Sequence, residues 1–74
     1  MIHGIYLKSK PTSKWHLLTI KLSAQSALKE SNLALNKAKL EGNENAEVAI
    51  QVFESYFYIP EILQEVKDQK LIFN

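Results

Sequence analysis

The order of hydrophobic and polar positions predicts two strands at the start of the chain. Residues 2–8 are β-prone, and residues 15–22 are richer still in β-branched, aromatic and aliphatic side chains. The segment between them, residues 9–13, contains Pro11 together with hydroxyl side chains that can bond to nearby backbone, as turn segments do. We therefore predict a β-hairpin.

The register of this hairpin decides which side chains share a face. We place Lys8 opposite Lys14, which puts the two histidines, His3 and His16, on opposite faces. A slip of one residue would exchange the faces of one strand relative to the other. The first face then carries Ile5, Leu7, Trp15 and Leu17, and the second carries Ile2, Leu18, Ile20 and Leu22.

A spacing of about 3.6 residues between apolar positions predicts a long helix from about Ala24 to Glu41. Ser23 is placed to cap its N-terminus, because its hydroxyl can accept a hydrogen bond from a free backbone N–H of the first turn. Gly42 is placed to end it in the left-handed conformation. The stripe expected to face the sheet is rich in small residues: Ala24, Ala27, Leu28, Ser31, Ala34, Leu35 and Ala38.

The second half of the chain predicts a third strand followed by shorter elements. Residues 47–54 alternate between apolar and polar side chains, which is typical of a strand with one buried face. That face carries Val48, Ile50 and Val52. Pro60 is suited to the start of a second, short helix over about residues 60–68. The apolar tail, residues 70–74, either adds a fourth short strand or docks on the core.

Together these elements predict one small α+β domain over residues 1–74. Its antiparallel sheet has three strands, or four if the tail adds one, in the order ββαβ with the short helix after the third strand. The long helix packs on one face of the sheet. This order recurs in many small folds with unrelated activities, so the fold alone does not predict a function.

Length and composition limit how such a domain can be stabilised. A chain of 74 residues buries only about 60% of the surface that it exposes when unfolded. The absence of cysteine excludes disulfides and cysteine metal sites. No stretch reaches the roughly 20 apolar residues that span a bilayer, and the start lacks a basic region ahead of an apolar run. We expect a folded, cytoplasmic protein.

The formal net charge of +1 conceals a division along the sequence. Residues 1–39 contain seven lysines and one glutamate, a net charge of +6, whereas residues 40–74 contain seven acids and two lysines, a net charge of −5. All nine basic residues are lysines. The planar guanidinium fork that recognises phosphate, carboxylate or guanine is therefore missing.

The chain lacks a set of residues that would support catalysis or metal binding. His3 and His16 have no acid in their own hairpin, the serines have no glycine-flanked elbow, and two glycines cannot form a phosphate cradle. Glu41, Glu44 and Glu47 lack the alternating spacing and the bend glycine of an EF-hand. We expect no enzymatic activity, no cofactor and no metal site.

Lysines and aromatic rings cluster on the predicted hairpin. Cations beside stacking surfaces are typical of proteins that bind single-stranded nucleic acid. The candidate nucleic-acid surface comprises Tyr6, Lys8, Lys10, Lys14, Trp15 and His16. In the alternative interpretation, these lysines only keep the exposed end of the hairpin from pairing with other chains. The lack of arginine and the acidic second half favour that alternative.

Apolar residues that the predicted helix does not cover point to a protein partner. Leu33 and Leu40 lie one heptad apart, opposite the core stripe of the helix, where a lone monomer has no use for them. Both faces of the hairpin are apolar, yet one helix covers only one of them. The other face is covered either by the C-terminal third or by another subunit, and the sequence leaves both alternatives open.

The run Tyr56, Phe57, Tyr58 is the densest group of aromatic side chains. It is either the floor of a binding surface or the corner where the third strand ends, with the rings filling the end of the core. We favour the corner and keep the run as a candidate interface together with Leu33 and Leu40. The leading expectation is a small non-enzymatic interaction module that forms a homodimer or binds another protein. The alternative is a weak single-stranded nucleic-acid-binding protein.

Overall fold

The computed structural model describes residues 1–66 and confirms the small α+β class. Four strands form one antiparallel sheet in the order β3-β1-β2-β4, and one helix packs on one of its faces. The elements are β1 (Ile2–Lys8), β2 (Trp15–Lys21), α1 (Ala24–Leu40), β3 (Glu47–Phe53) and β4 (Ile62–Leu63), with a single 3₁₀ turn at Tyr56–Tyr58 that we call the aromatic turn.

Both ends of α1 form as the sequence predicts. The hydroxyl oxygen of Ser23 accepts a hydrogen bond from the backbone N–H of Ser26 at 3.1 Å. At the other end, Asn43 N–H donates to the Ala38 carbonyl at 3.0 Å, and Gly42 N–H donates to the Lys39 carbonyl at 3.1 Å. These two bonds define a Schellman motif, which requires a left-handed residue. Gly42 provides it with φ of 98°.

The core on the helix side is built from small helical residues against β1 and β3. Ile5 from β1, Ala27 from α1 and Ile50 from β3 are completely or almost completely buried. Leu28 and Val48 pack against them and are partly buried. Ala24, at the start of the predicted stripe, is instead exposed. The small residues let α1 lie close to the sheet, since they present little side chain between the two backbones.

The predicted register of the hairpin is wrong. Tyr6 lies opposite Leu17 and Ile5 lies opposite Thr19, so Leu18 is an extra residue in β2. Such a β-bulge bends the strand and re-aims its side chains. Tyr6 and Leu17 share the face away from the helix because they pair directly, whereas Ile5 faces the helix.

The segment after β3 covers the face of the sheet that α1 leaves open. Tyr6 on that face is completely buried, and its hydroxyl donates to the Pro60 carbonyl at 2.6 Å. The Tyr6 ring lies 6.5 Å from the Phe53 ring, centroid to centroid. A Cβ at Gly4 would lie 3.1 Å from the Tyr6 ring, so glycine leaves the space that this ring uses. Of the two alternatives for this face, the structure favours coverage within the chain.

The predicted short helix over residues 60–68 is wrong in its described part. Ile62–Leu63 instead form β4, which pairs with Trp15 and His16 at the outer edge of β2. The Leu17 N–H also donates to the Glu61 carbonyl at 2.8 Å. Residues 70–74, predicted as a fourth strand or a docked tail, lie outside the described residues.

Candidate functional site

An apolar groove separates α1 from β2. The helix packs mainly on β1 and β3, so the helix-side face of β2 stays uncovered. The groove has a volume of about 390 Å³. Its apolar lining consists of Ile5, Leu7, Leu18, Leu33, Ala34 and Ala38.

Two leucines stand at opposite sides of this groove. Leu18 belongs to β2 and is 47% exposed, and Leu33 belongs to α1 and is 54% exposed. Leu18 is the extra residue of the β-bulge, so it lies on the helix side together with its neighbour Thr19, and both line the groove. Two large apolar side chains at the mouth of an apolar groove form a surface that water solvates poorly.

Charged residues surround the groove with alternating sign. Glu30, Lys37 and Glu41 line it from the helix side. The Glu30 carboxylate lies 3.8 Å from Nζ of Lys21, and both side chains are more than a third exposed. Solvent screens a pair of this kind, so it contributes little to stability. Glu30 therefore remains available to other cations.

The predicted interface residues lie in three separate places on the molecule. Leu33 lines the groove, as described above. Leu40 is 89% exposed and lies outside the groove lining. The aromatic turn forms a corner after β3, but its rings do not fill the core: Tyr56 and Tyr58 are largely exposed and Phe57 is 97% exposed. The favoured corner interpretation is therefore wrong for the side chains, which form a separate exposed apolar patch.

The predicted nucleic-acid surface is not one surface. Tyr6 is completely buried, so its ring cannot stack on a base in this conformation. Lys8 lies with Nζ 5.6 Å from the centroid of the Trp15 ring, an attractive cation–π arrangement. His16 pairs with Leu7 and lies on the helix side. Trp15 lies on the other face, because neighbouring side chains along a strand point to opposite faces. The remaining two, Lys10 and Lys14, are exposed.

The two histidines do not converge on acids. His3 and His16 share the helix-side face, contrary to the predicted register, but they lie at opposite ends of the hairpin. Among residues 1–66, no group of three histidine, cysteine or acidic side chains is arranged to hold a metal ion. In the same part of the chain, no helix combines the length and the apolar character needed to cross a bilayer.

Comparison with known proteins adds no functional information. No protein-family model, no curated protein and no solved structure matches the chain.

Sequence reasoning missed most of the groove. It assigned Leu18 to the face away from Leu7, whereas both residues line the groove. No local signal reveals the bulge, because two adjacent leucines on opposite faces are also what strict alternation predicts. The shift of α1 towards β3 has no local signal either.

Proposed function

We propose that this chain is a small non-enzymatic protein-interaction domain that self-associates, and that the groove between α1 and β2 is its binding surface. The observation that carries the proposal is the pair of half-exposed leucines, Leu18 and Leu33, at the mouth of a groove with an apolar floor. Removing such apolar surface from water favours association in proportion to the area buried.

The small size of the domain supports association over a lone monomer. Chains of this length bury a modest fraction of their surface and commonly gain stability from disulfides, metals or oligomerisation. Cysteine is absent from the sequence. A second subunit that binds only the folded state stabilises that state by mass action.

The groove is a better binding surface than the hairpin for two reasons. Its apolar side chains lie together on one side of the molecule, whereas the candidate nucleic-acid residues are divided between two faces and the buried interior. The sequence also lacks arginine, which is the most frequent donor to phosphate and guanine.

Sedimentation equilibrium over a hundredfold range of protein concentration tests the proposal. We expect the average mass to rise from that of the 8.5 kDa monomer towards twice that value as concentration increases. A mass that stays at the monomer value throughout would contradict self-association.

Two leucine variants test the surface. We expect Leu33→Lys to weaken association by tenfold or more, roughly what the loss of about 1.4 kcal/mol of apolar burial would produce. The matched control is Leu40→Lys, which introduces the same charge on the same helix outside the groove lining. The control should associate like the parent. Urea melts of both variants should stay within about 0.5 kcal/mol of the parent, as is usual for surface changes.

A further inference from the structure

We infer that the occupant of the groove is a second copy of this chain, bound about a two-fold axis that sets the two α1 helices antiparallel. The inference rests on the proposed self-association and specifies its geometry. In this arrangement Glu30 of each copy faces Lys37 of the other, and Leu33 lies near the axis.

The spacing of the charges leads to this arrangement. Glu30 and Lys37 both line the groove and are one heptad apart, which places them about 10 Å apart along one flank of α1. A two-fold axis that passes between Leu33 and Ala34 exchanges the two positions. Each carboxylate then meets an ammonium group, and both contacts form at once.

The opposite orientation is disfavoured by the same charges. If the two helices ran parallel about a two-fold axis, Glu30 would face Glu30 of the second copy, and the two Lys37 side chains would also meet. Like charges in contact cost about as much as opposite charges gain on a helix surface. The apolar residues thus provide the affinity and the charges select the antiparallel orientation.

The edges of the sheet offer a second copy less than the groove does. β3 lies at one end of the sheet, but Ala49 and Ile50 are completely or almost completely buried, so the middle of this strand is not open to a further strand. At the other end, β4 contains only two residues. Short edge strands are poor templates for pairing with another chain.

Charge reversal tests the geometry in a way that loss of folding cannot imitate. Glu30→Lys alone, and Lys37→Glu alone, should each weaken self-association about tenfold at low ionic strength, because two attractive contacts become repulsive. The double variant, Glu30→Lys with Lys37→Glu, restores opposite charges at both contacts. It should associate within about threefold of the parent, since exposed pairs differ little in strength.

Mixing the two single variants provides the sharpest measurement. One copy then presents two lysines and the other two glutamates, so we expect a mixed dimer that is about tenfold tighter than either homodimer. Sedimentation with one of the two variants fluorescently labelled measures the affinity of the mixed dimer directly. Raising the salt concentration should reduce this preference, since solvent-exposed charges are screened.

A matched control separates the contact from effects on the helix itself. Lys37 and Lys39 both lie in the last turn of α1, where cations interact favourably with the helix dipole. Lys39 is outside the groove lining. Lys39→Glu should therefore reproduce any effect of Lys37→Glu on helix stability while leaving self-association close to that of the parent.

The outcomes distinguish this inference from the proposed function. A parent that remains monomeric contradicts both. A parent that dimerises, with single, double and mixed variants all equal to it, retains self-association but overturns the antiparallel groove contact. In that case the second copy binds elsewhere, and the groove is left to a different protein.

Discussion

Tyr6 is the residue that joins the sheet to the segment following β3. Its ring is completely buried on the face away from α1, and its hydroxyl donates to the Pro60 carbonyl at 2.6 Å. The partners are 54 residues apart in the sequence, so this single hydrogen bond links the two ends of the described chain. Burial also raises the pKa of the Tyr6 phenol above the ordinary value of 10.0.

We expect Tyr6→Phe to lower the free energy of unfolding by about 1–2 kcal/mol. The substitution keeps the apolar ring but leaves the part-buried Pro60 carbonyl without its donor, and an unsatisfied acceptor that is shielded from water costs about that much. Urea melts measure the loss. The matched control is Tyr58→Phe, which removes the same hydroxyl from a largely exposed ring and should change stability by less than about 0.5 kcal/mol. Equal losses in both variants would contradict the role assigned to the Tyr6 hydroxyl.

The raised pKa of Tyr6 predicts the sign of a pH dependence. Because the folded state favours the neutral phenol, the stability due to Tyr6 is complete below pH 10.0 and is lost as pH rises through the raised pKa. The stability difference between the parent and Tyr6→Phe should therefore shrink between about pH 8 and about pH 11. A difference that grows with pH would contradict the assignment. The comparison cancels the effect of every group that the two proteins share.

At the scale of the elements, the parts defined by local signals were predictable. The cap at Ser23, the left-handed Gly42 and the alternation of residues 47–54 each depend on neighbouring residues in the sequence, and α1 and β3 formed within a residue of the expected ends. Helix ends and strand alternation are set by short-range hydrogen bonding and side-chain direction, which a sequence displays directly.

The parts defined by distant partners were not predictable in the same way. The hairpin register differs by one residue already at Leu7, which pairs with His16, and the bulge at Leu18 shifts it by one more. Residues 60–66 contain a proline, two acids and spaced apolar side chains that fit a helix, but the backbone of residues 61–63 bonds to the outer edge of β2 instead. Tertiary pairing overrides a weak local preference when it satisfies more backbone groups.

We expect Gly42→Ala to lower the free energy of unfolding by about 1–2 kcal/mol. Its φ of 98° lies in the region that a Cβ disfavours, and no neighbouring atom lies within 4 Å of the added Cβ, so backbone strain alone causes the loss. Thermal or urea unfolding measures it. Gly42→Asn should lose about half as much, because asparagine enters the left-handed region more readily. A larger loss for asparagine than for alanine would contradict the Schellman cap.

At the scale of the whole molecule, the fold brings the two oppositely charged halves of the sequence together. Lys8 at the end of β1 lies opposite Glu47 at the start of β3. Lys10 in the hairpin turn and Glu44 in the loop after α1 line one shallow cleft. Lys8 and Lys10 therefore each lie near an acid of the same chain. The positive charge of these two lysines is offset at this end of the molecule.

This cancellation predicts that the parent protein does not bind single-stranded nucleic acid. A strand that approached Lys8 and Lys10 would also approach Glu44 and Glu47, and the Tyr6 ring that could stack on a base is buried. Fluorescence anisotropy with labelled oligonucleotides at low salt should remain flat up to high protein concentration. Binding that weakens steeply with added salt would contradict the expectation, because that dependence is typical of lysine–phosphate contacts.

Replacing the two acids tests whether they are the cause. The variant with Glu44→Gln and Glu47→Gln keeps the shape of both side chains and raises the formal net charge from +1 to +3. We expect it to bind the same oligonucleotides weakly, with a salt dependence that corresponds to about two or three phosphate contacts. A control with Glu54→Gln and Glu65→Gln has the same net charge but changes acids that neither line the cleft with Lys10 nor pair with Lys8. A control that binds as well as the variant with Glu44→Gln and Glu47→Gln would contradict this explanation. That result would mean that the net charge, and not the acids near Lys8 and Lys10, prevents nucleic-acid binding.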